Sequence, residues 1–331
     1  MPPQHDPHLT PLASVSTVAL CMIFGANAVA IKISLGGIGP LTAAGIRFAL
    51  AAVMIAAWAL TTGRRLWVGK GNFKPLVIIC GLFIIEQSLF YLGLSRTLAS
   101  RGALIVNVVP FFVLLFAHLF LPGDCINKRK FWGLVLGFVG VALVLADNGI
   151  LGHGWRSGDA IVFMAAMCWA ANAVYTKTVI HRFTPFQVVL FPMLCAAPLQ
   201  FFAGWLWDDV AWWHIDTTIV MAVLYQSLIC AAFGFVAWYN LLQRYGASRL
   251  HSFIFIMPIS GVAAAGLILR EPITPTIIAA VVLVALGISI VNIQKFWWPI
   301  SHVTDVTLKS DTDKARGRAP HKDSEQPVVT S

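Results

Sequence analysis

Charge is what this 331-residue chain lacks. Only 11% of its residues are Asp, Glu, Lys or Arg, against about 25% in soluble globular domains. That is too few to cover a water-facing surface. Acids inside apolar runs are scarcer still: of fourteen Asp and Glu, only Glu86 lies well inside one. The six cysteines (Cys21, Cys80, Cys125, Cys168, Cys195, Cys230) have no paired spacing, which leaves them as small apolar packing residues rather than disulfides or metal ligands. No G-x-x-x-x-G-K-[ST], HExxH, CxxC or G-x-S-x-G pattern occurs, so ATP hydrolysis and the common hydrolytic chemistries have no support. No catalytic residue, cofactor or metal site is expected.

What remains is apolar. Hydrophobic residues make up 58% of the chain and mean hydropathy is +0.80. Apolar stretches of roughly 18–25 residues recur, the helical length that crosses a ~30 Å hydrocarbon core. Ten are legible, at about 12–34, 41–62, 75–95, 99–121, 130–147, 158–178, 185–206, 217–242, 248–269 and 275–296. The predicted fold is all-α, a polytopic integral membrane protein with ten transmembrane helices. Segment 1–11 has no basic region and the first run ends at Lys32 without a small-residue cleavage site, so it reads as a retained span and not a secretory signal. Residues 299–331 are polar, charge-balanced and poor in aromatics, the composition of a disordered cytoplasmic tail.

The net charge of +9 follows topology. Four alternate connections carry Arg64, Arg65, Lys70, Lys74, Lys128, Arg129, Lys130, Lys177, Arg182, Arg244 and Arg249. The connections on the other side carry only Arg96, Arg101, Arg156 and Arg270. Basic residues stay cytoplasmic, which places both termini inside a bacterial-type inner membrane and removes any need for a nucleic-acid partner. Trp205, Trp207, Trp212 and Trp213 on one side, with Trp132, Trp297 and Trp298 on the other, fit interfacial belts.

The chain also repeats itself. "FGANAVAIK" (Phe24 to Lys32) returns as "WAANAVYTK" (Trp169 to Lys177), with Met22 matching Met167 and Pro40 matching Pro185. Further on, Tyr91 pairs with Tyr239, Arg96 with Arg244, Ala99-Ser100-Arg101 with Ala247-Ser248-Arg249, and Pro110 with Pro258. Each half, 12–147 and 158–296, holds five spans; an odd number flips the second half in the membrane. Inverted five-helix repeats are a transporter architecture, because two similar halves of opposite orientation can exchange conformations.

With "NAVAIK", "PLTAAGIRF" (Pro40 to Phe48), "WAANAVYTK", Pro258 and "REPIT" (Arg270 to Thr274) in place, the sequence resembles the EamA-type ten-helix members of the drug/metabolite transporter superfamily over about residues 14–294. The resemblance implies a 5+5 inverted fold and export or exchange of small metabolites, often amino acids or related compounds. The first half departs from it: opposite Glu271 of "REPIT", the segment "LPGDC" offers only a displaced Asp124.

Polar groups inside spans are costly, about 2.5–3.5 kcal/mol for a central charge on insertion scales, and they face the bundle interior. Glu86 reads either as a proton-coupling or cation-binding carboxylate or as a hydrogen-bonded structural Glu. Asn27 and Asn172 either bond the first helices of the two halves across the pseudo-twofold or line the solute path. Gln87, Tyr91, Asn107, Trp169, Gln226 and Tyr239 complete the candidate solute-binding set. Asn107, Phe111, Leu114 and His118 share one helical face, Gln226, Phe233 and Asn240 another, and His251, Phe255 and Pro258 a third. The aromatics there suit packing better than contact, and the two histidines suit gate or interfacial positions. Pro110 and Pro258 should interrupt their helices, as hinges or as static kinks. Thr184-Pro185 and Thr274-Pro275 read as helix caps, leaving Glu271 to serve its loop with Arg270. Gly133-x-x-x-Gly137 serves packing within the chain or a homodimer.

The expected function is export of small-molecule solutes, amino acids or related compounds foremost, by alternating access in the lipid bilayer, with Glu86 as the proton-coupling group. The alternative is a membrane-embedded enzyme acting on a lipid-linked substrate, for which a lone mid-depth Glu86 is poor material.

Overall fold

Thr10 starts the first helix: its hydroxyl accepts from the Ala13 N–H at 3.2 Å, and Pro11 takes the first helical position, where a missing N–H is no loss. The computed structural model describes residues 10–63, 66–121, 126–146, 157–209, 212–245, 250 and 253–292. Its helices are α1 (Pro11–Ser34), α2 (Pro40–Thr61), α3 (Phe73–Ser95), α4 (Ala99–Val106), α5 (Val109–Phe120), α6 (Lys128–Ala146), α7 (Ser157–Val179), α8 (Pro185–Trp207), α9 (Thr217–Leu224), α10 (Phe235–Tyr245), α11 (Ile256–Ile268) and α12 (Pro275–Asn292). A π-helix, Tyr225–Gly234, joins α9 to α10 into one span. Nine apolar helical stretches of at least 18 residues are present among the described residues, and the shorter α11 lies in the ninth expected run, 248–269. Segment 299–331 and most of 1–11 lie outside the described residues, as do Trp297, Trp298, Asp124 and His251.

The caps expected at later helices are present. Thr184 forms a capping box with Gln187, and the Thr274 hydroxyl accepts from the Ile277 N–H at 3.2 Å. Both repeat-matched prolines mark interruptions. Pro110 has no N–H to give the preceding turn, so α4 ends at Val106 and α5 starts at Val109 across an Asn107–Val108 turn. Pro258 stands at the start of α11, after a turn at 253–255.

Helix neighbours obey the repeat. α2 packs along α8 and α6 along α12, each pair being one helix and its own counterpart. α3 lies on α7, and the counterpart contact of α1 with α9 and the π-helix is also made. α1 lies on α11, mirrored by α4 and α5 on α7. Small residues permit these approaches. A Cβ at Gly287 would stand 2.7 Å from the Gly133 carbonyl and 2.8 Å from the Gly137 nitrogen; one at Gly25 would stand 2.6 Å from the Met257 carbonyl. Gly133 and Gly137 are thus used within the chain, where α6 crosses α12 and Phe111 fills the space above Gly137.

The outer surface is apolar. Leu12, Leu60, Phe120 and Leu267 are all largely exposed, as side chains are that meet lipid instead of water. Trp205 and Trp207 are 76% and 72% exposed, Trp132 62%, as a belt at the headgroup level requires.

Candidate functional site

Two polar clusters lie inside this bundle, and each joins a helix of the first half to one of the second. In the first, the Glu86 carboxylate on α3 accepts from Asn172 Nδ2 on α7 at 3.3 Å and from Gln87 Nε2 at 3.4 Å. Thr176, one turn beyond Asn172, donates its hydroxyl to Asn172 Oδ1 at 3.3 Å. Glu86, Gln87 and Asn172 are all buried. Among the described residues no cation pairs with Glu86, so two amides are all that holds this carboxyl group.

The second cluster is built on Tyr91, fully buried on α3. Its hydroxyl donates to Gln226 Oε1 in the π-helix and accepts from Arg47 Nη1 of α2 at 3.5 Å. The Arg47 guanidinium also stands over the Phe48 ring, 5.3 Å from its centre. Gln226 is where it is because of the π-helix. A wider i→i+5 turn rotates the chain less per residue, so α-helical spacing fails across it. The face expected to hold Gln226, Phe233 and Asn240 is accordingly not formed: Gln226 is 0% exposed, whereas Phe233 is 55% exposed and Asn240 also faces outward.

Other expected groups are placed elsewhere. Asn27 and Asn172 do not bond to each other; Asn172 bonds Glu86, and Asn27 Oδ1 is buried with no hydrogen-bond partner. The bridge expected between the first helices of the two halves is therefore not made: Asn172 reaches across to α3 instead of α1. Asn107 turns back on its helix, giving its amide to the Ala103 carbonyl at 2.6 Å, and so supports the break before Pro110. Trp169 is half-buried on α7, one turn before Asn172. The side chain of Tyr239 lies outside the described residues. His118 is exposed at the end of α5.

A third set of polar contacts closes one face of the bundle, the face where α1, α3, α8 and α11 end. Lys32 Nζ donates to the carbonyls of Leu94 and Thr97 at 2.7 and 2.6 Å. Asp159, in the first turn of α7, holds Arg101 of α4 through Nη2 at 2.6 Å and Nε at 3.0 Å, and accepts from the Thr97 hydroxyl. Asp208 accepts from the Thr42 N–H and hydroxyl at 2.9 and 2.8 Å. Glu271 does not merely serve its loop. Its carboxylate accepts from the Ala99 and Ser100 N–H groups at 2.7 and 2.8 Å, capping α4 from the opposite half. Contacts on the opposite face include two neutral hydrogen bonds, Thr10 with Tyr245 at 3.2 Å and Gln187 Nε2 to the Trp67 carbonyl at 2.8 Å, and the Arg244 guanidinium over the Tyr245 ring, 5.6 Å from its centre.

An apolar helical bundle with polar side chains from two related halves meeting inside it is the construction of a multi-pass membrane transporter. The chain belongs to the EamA-like transporter family, which matches it twice, over residues 12–146 and 156–293. It is therefore a transporter and not an enzyme. An uncharacterized transporter of Archaeoglobus fulgidus is 27% identical over 278 residues, 83% of this chain and 96% of that protein. A probable amino-acid metabolite efflux pump of Escherichia coli is 26% identical over 294 residues, 86% of this chain and 95% of that one. A solved crystal structure superposes with a TM-score of 0.62 at 17% identity, covering 84% of this chain and 96% of the other; that likeness concerns the fold.

Proposed function

We propose that the protein exports amino acids or closely related metabolites across the inner membrane by alternating access, coupled to protons through Glu86. The observation that carries this reading is the pair of buried bridges, Glu86 to Asn172 and Tyr91 to Gln226, each spanning the two halves. A solute held there is contacted from both sides at once, and relative movement of the halves changes which face it can leave by. The name of the Escherichia coli relative supports the substrate class. The distribution of basic residues supports cytoplasmic termini, which makes the Lys32 face the outer one. Pro110 and Pro258 serve as the hinges: they lie at equivalent breaks in the two halves, and a helix already lacking a bond there bends at low cost.

The test is efflux from proteoliposomes preloaded with a mixture of the twenty common amino acids. Protein-containing vesicles should release one or a few unmodified amino acids at least tenfold faster than protein-free vesicles, and an inward proton gradient should drive release against a concentration difference. Retention of all twenty at the protein-free rate contradicts the proposal.

A further inference from the structure

Arg47 is a buried cation for which the described residues supply no anion. It is 5% exposed within α2, no described carboxylate lies within ion-pair distance, and its Nε has no hydrogen-bond partner. The same bundle shows how a structural arginine is treated: Arg101, equally buried, is held at 2.6 Å by Asp159. Beside Arg47, across the shared Tyr91 hydroxyl, Gln226 is fully buried and its Nε2 is also unbonded. Tyr91 donates to Gln226 Oε1, while the amide's Nε2 donors are unbonded. The cluster thus ends with a surplus of donors, contributed by both halves, and with one uncompensated positive charge. A buried charge in lipid-embedded protein is costly unless something neutralises it.

We propose that Arg47 and Gln226, positioned by Tyr91, form the pole of the solute site that receives a carboxylate. This deepens the function proposed above and rests on it for the identity of the solute. Two open donors suit an anion with two oxygens, and guanidinium is the side chain matched to a planar carboxylate. One guanidinium offsets one negative charge, so the site fits a monovalent carboxylate and not a phosphate dianion. The π-helix contributes by turning Gln226 inward; such wide turns concentrate at functional sites. At 5% exposure Arg47 is reached only when the halves move apart, and the source of negative charge is then either the solute's carboxylate or a bulk anion such as chloride.

The test compares thermal unfolding of the purified full-length wild type, Arg47→Gln and Arg47→Lys in detergent. Each is titrated with sodium acetate or sodium chloride, balanced with a bulky sulfonate to constant ionic strength. Acetate should raise the wild-type midpoint, chloride should need at least tenfold higher concentration for the same shift, and Arg47→Gln should not respond. In sulfonate alone, Arg47→Gln should unfold at or above the wild-type temperature, because the variant no longer buries an uncompensated charge. Arg47→Lys should respond to acetate with weakened affinity. A flat acetate response in the wild type overturns the proposal. So does an equal response to chloride, which would make the site a halide counter-ion position. So does an Arg47→Gln protein that unfolds far below the wild type yet still responds to acetate, the mark of a structural arginine. An acetate response lost in Arg47→Gln, alongside wild-type vesicles that release no amino acid, upholds the carboxylate pole and removes the export function instead.

Discussion

Asp159→Ala should lower the unfolding free energy of the purified protein by about 3–5 kcal/mol, the range for removing one partner of a buried ion pair. Asp159 and Arg101 are 1% and 5% exposed, and two donors of the guanidinium fall on a single carboxylate oxygen. Without the carboxylate, the arginine keeps its desolvation cost and loses its closest counter-charge. The Thr97 hydroxyl also loses its acceptor. The loss is larger than for the neutral contacts of the opposite face because charge, and not only a hydrogen bond, is left uncompensated. Replacing both partners, Arg101→Met with Asp159→Leu, should recover most of the stability, since a buried pair exchanged for apolar groups of similar size is near neutral. Thermal unfolding of the single and double variants measures both effects. An Asp159→Ala protein as stable as the wild type would show that the pair contributes nothing to holding α4 against α7.

Glu86→Gln should abolish uphill transport while leaving exchange intact. The amide has nearly the shape of the carboxyl group and can keep a bond to Asn172, so the seam between α3 and α7 survives. What it cannot do is gain and lose a proton. One proton moved per solute across a difference of one pH unit is worth about 1.4 kcal/mol, a tenfold concentration ratio. The wild type should reach that ratio in energised vesicles, and the variant should stop at equal concentrations. Counterflow, in which one labelled solute molecule exchanges for another without net proton movement, should persist at a comparable rate. Uphill accumulation by Glu86→Gln that still follows the pH gradient would assign the coupling to another group.

Much of the architecture is legible in the sequence because lipid leaves few choices. Backbone groups in hydrocarbon must bond within their own helix, so run length alone places the spans. The duplicated "NAVAIK" and "NAVYTK" segments then relate the halves, and the neighbour pairs of α2 with α8 and α6 with α12 follow that relation. Side-chain partners are less legible. Asn27 and Asn172 occupy equivalent places in the repeat yet bond differently, because Glu86 has Gly234 as its counterpart and only one asparagine meets a carboxylate. The π-helix breaks α-helical spacing just where Gln226 turns inward, and nothing in "YQSLICAAFG" announces it. Arg47 had a signal: it stands in the apolar run at 41–62 as plainly as Glu86 does in its own. Counting acids alone inside such runs passes over it. Glu271, Asp208 and Asp159 sit at span ends and look like ordinary loop acids; their role as caps and ion-pair partners of the other half exists only once distant helices meet.

The central claim is that the solute is held between the two halves by polar groups from both. An experimental structure of the full-length protein with an exported amino acid bound tests it most directly. The account predicts density within hydrogen-bond distance of Arg47 or Glu86 from the first half and of Gln226 or Asn172 from the second. Solute density confined to one half, or lying on the lipid-facing surface away from all four side chains, would contradict it.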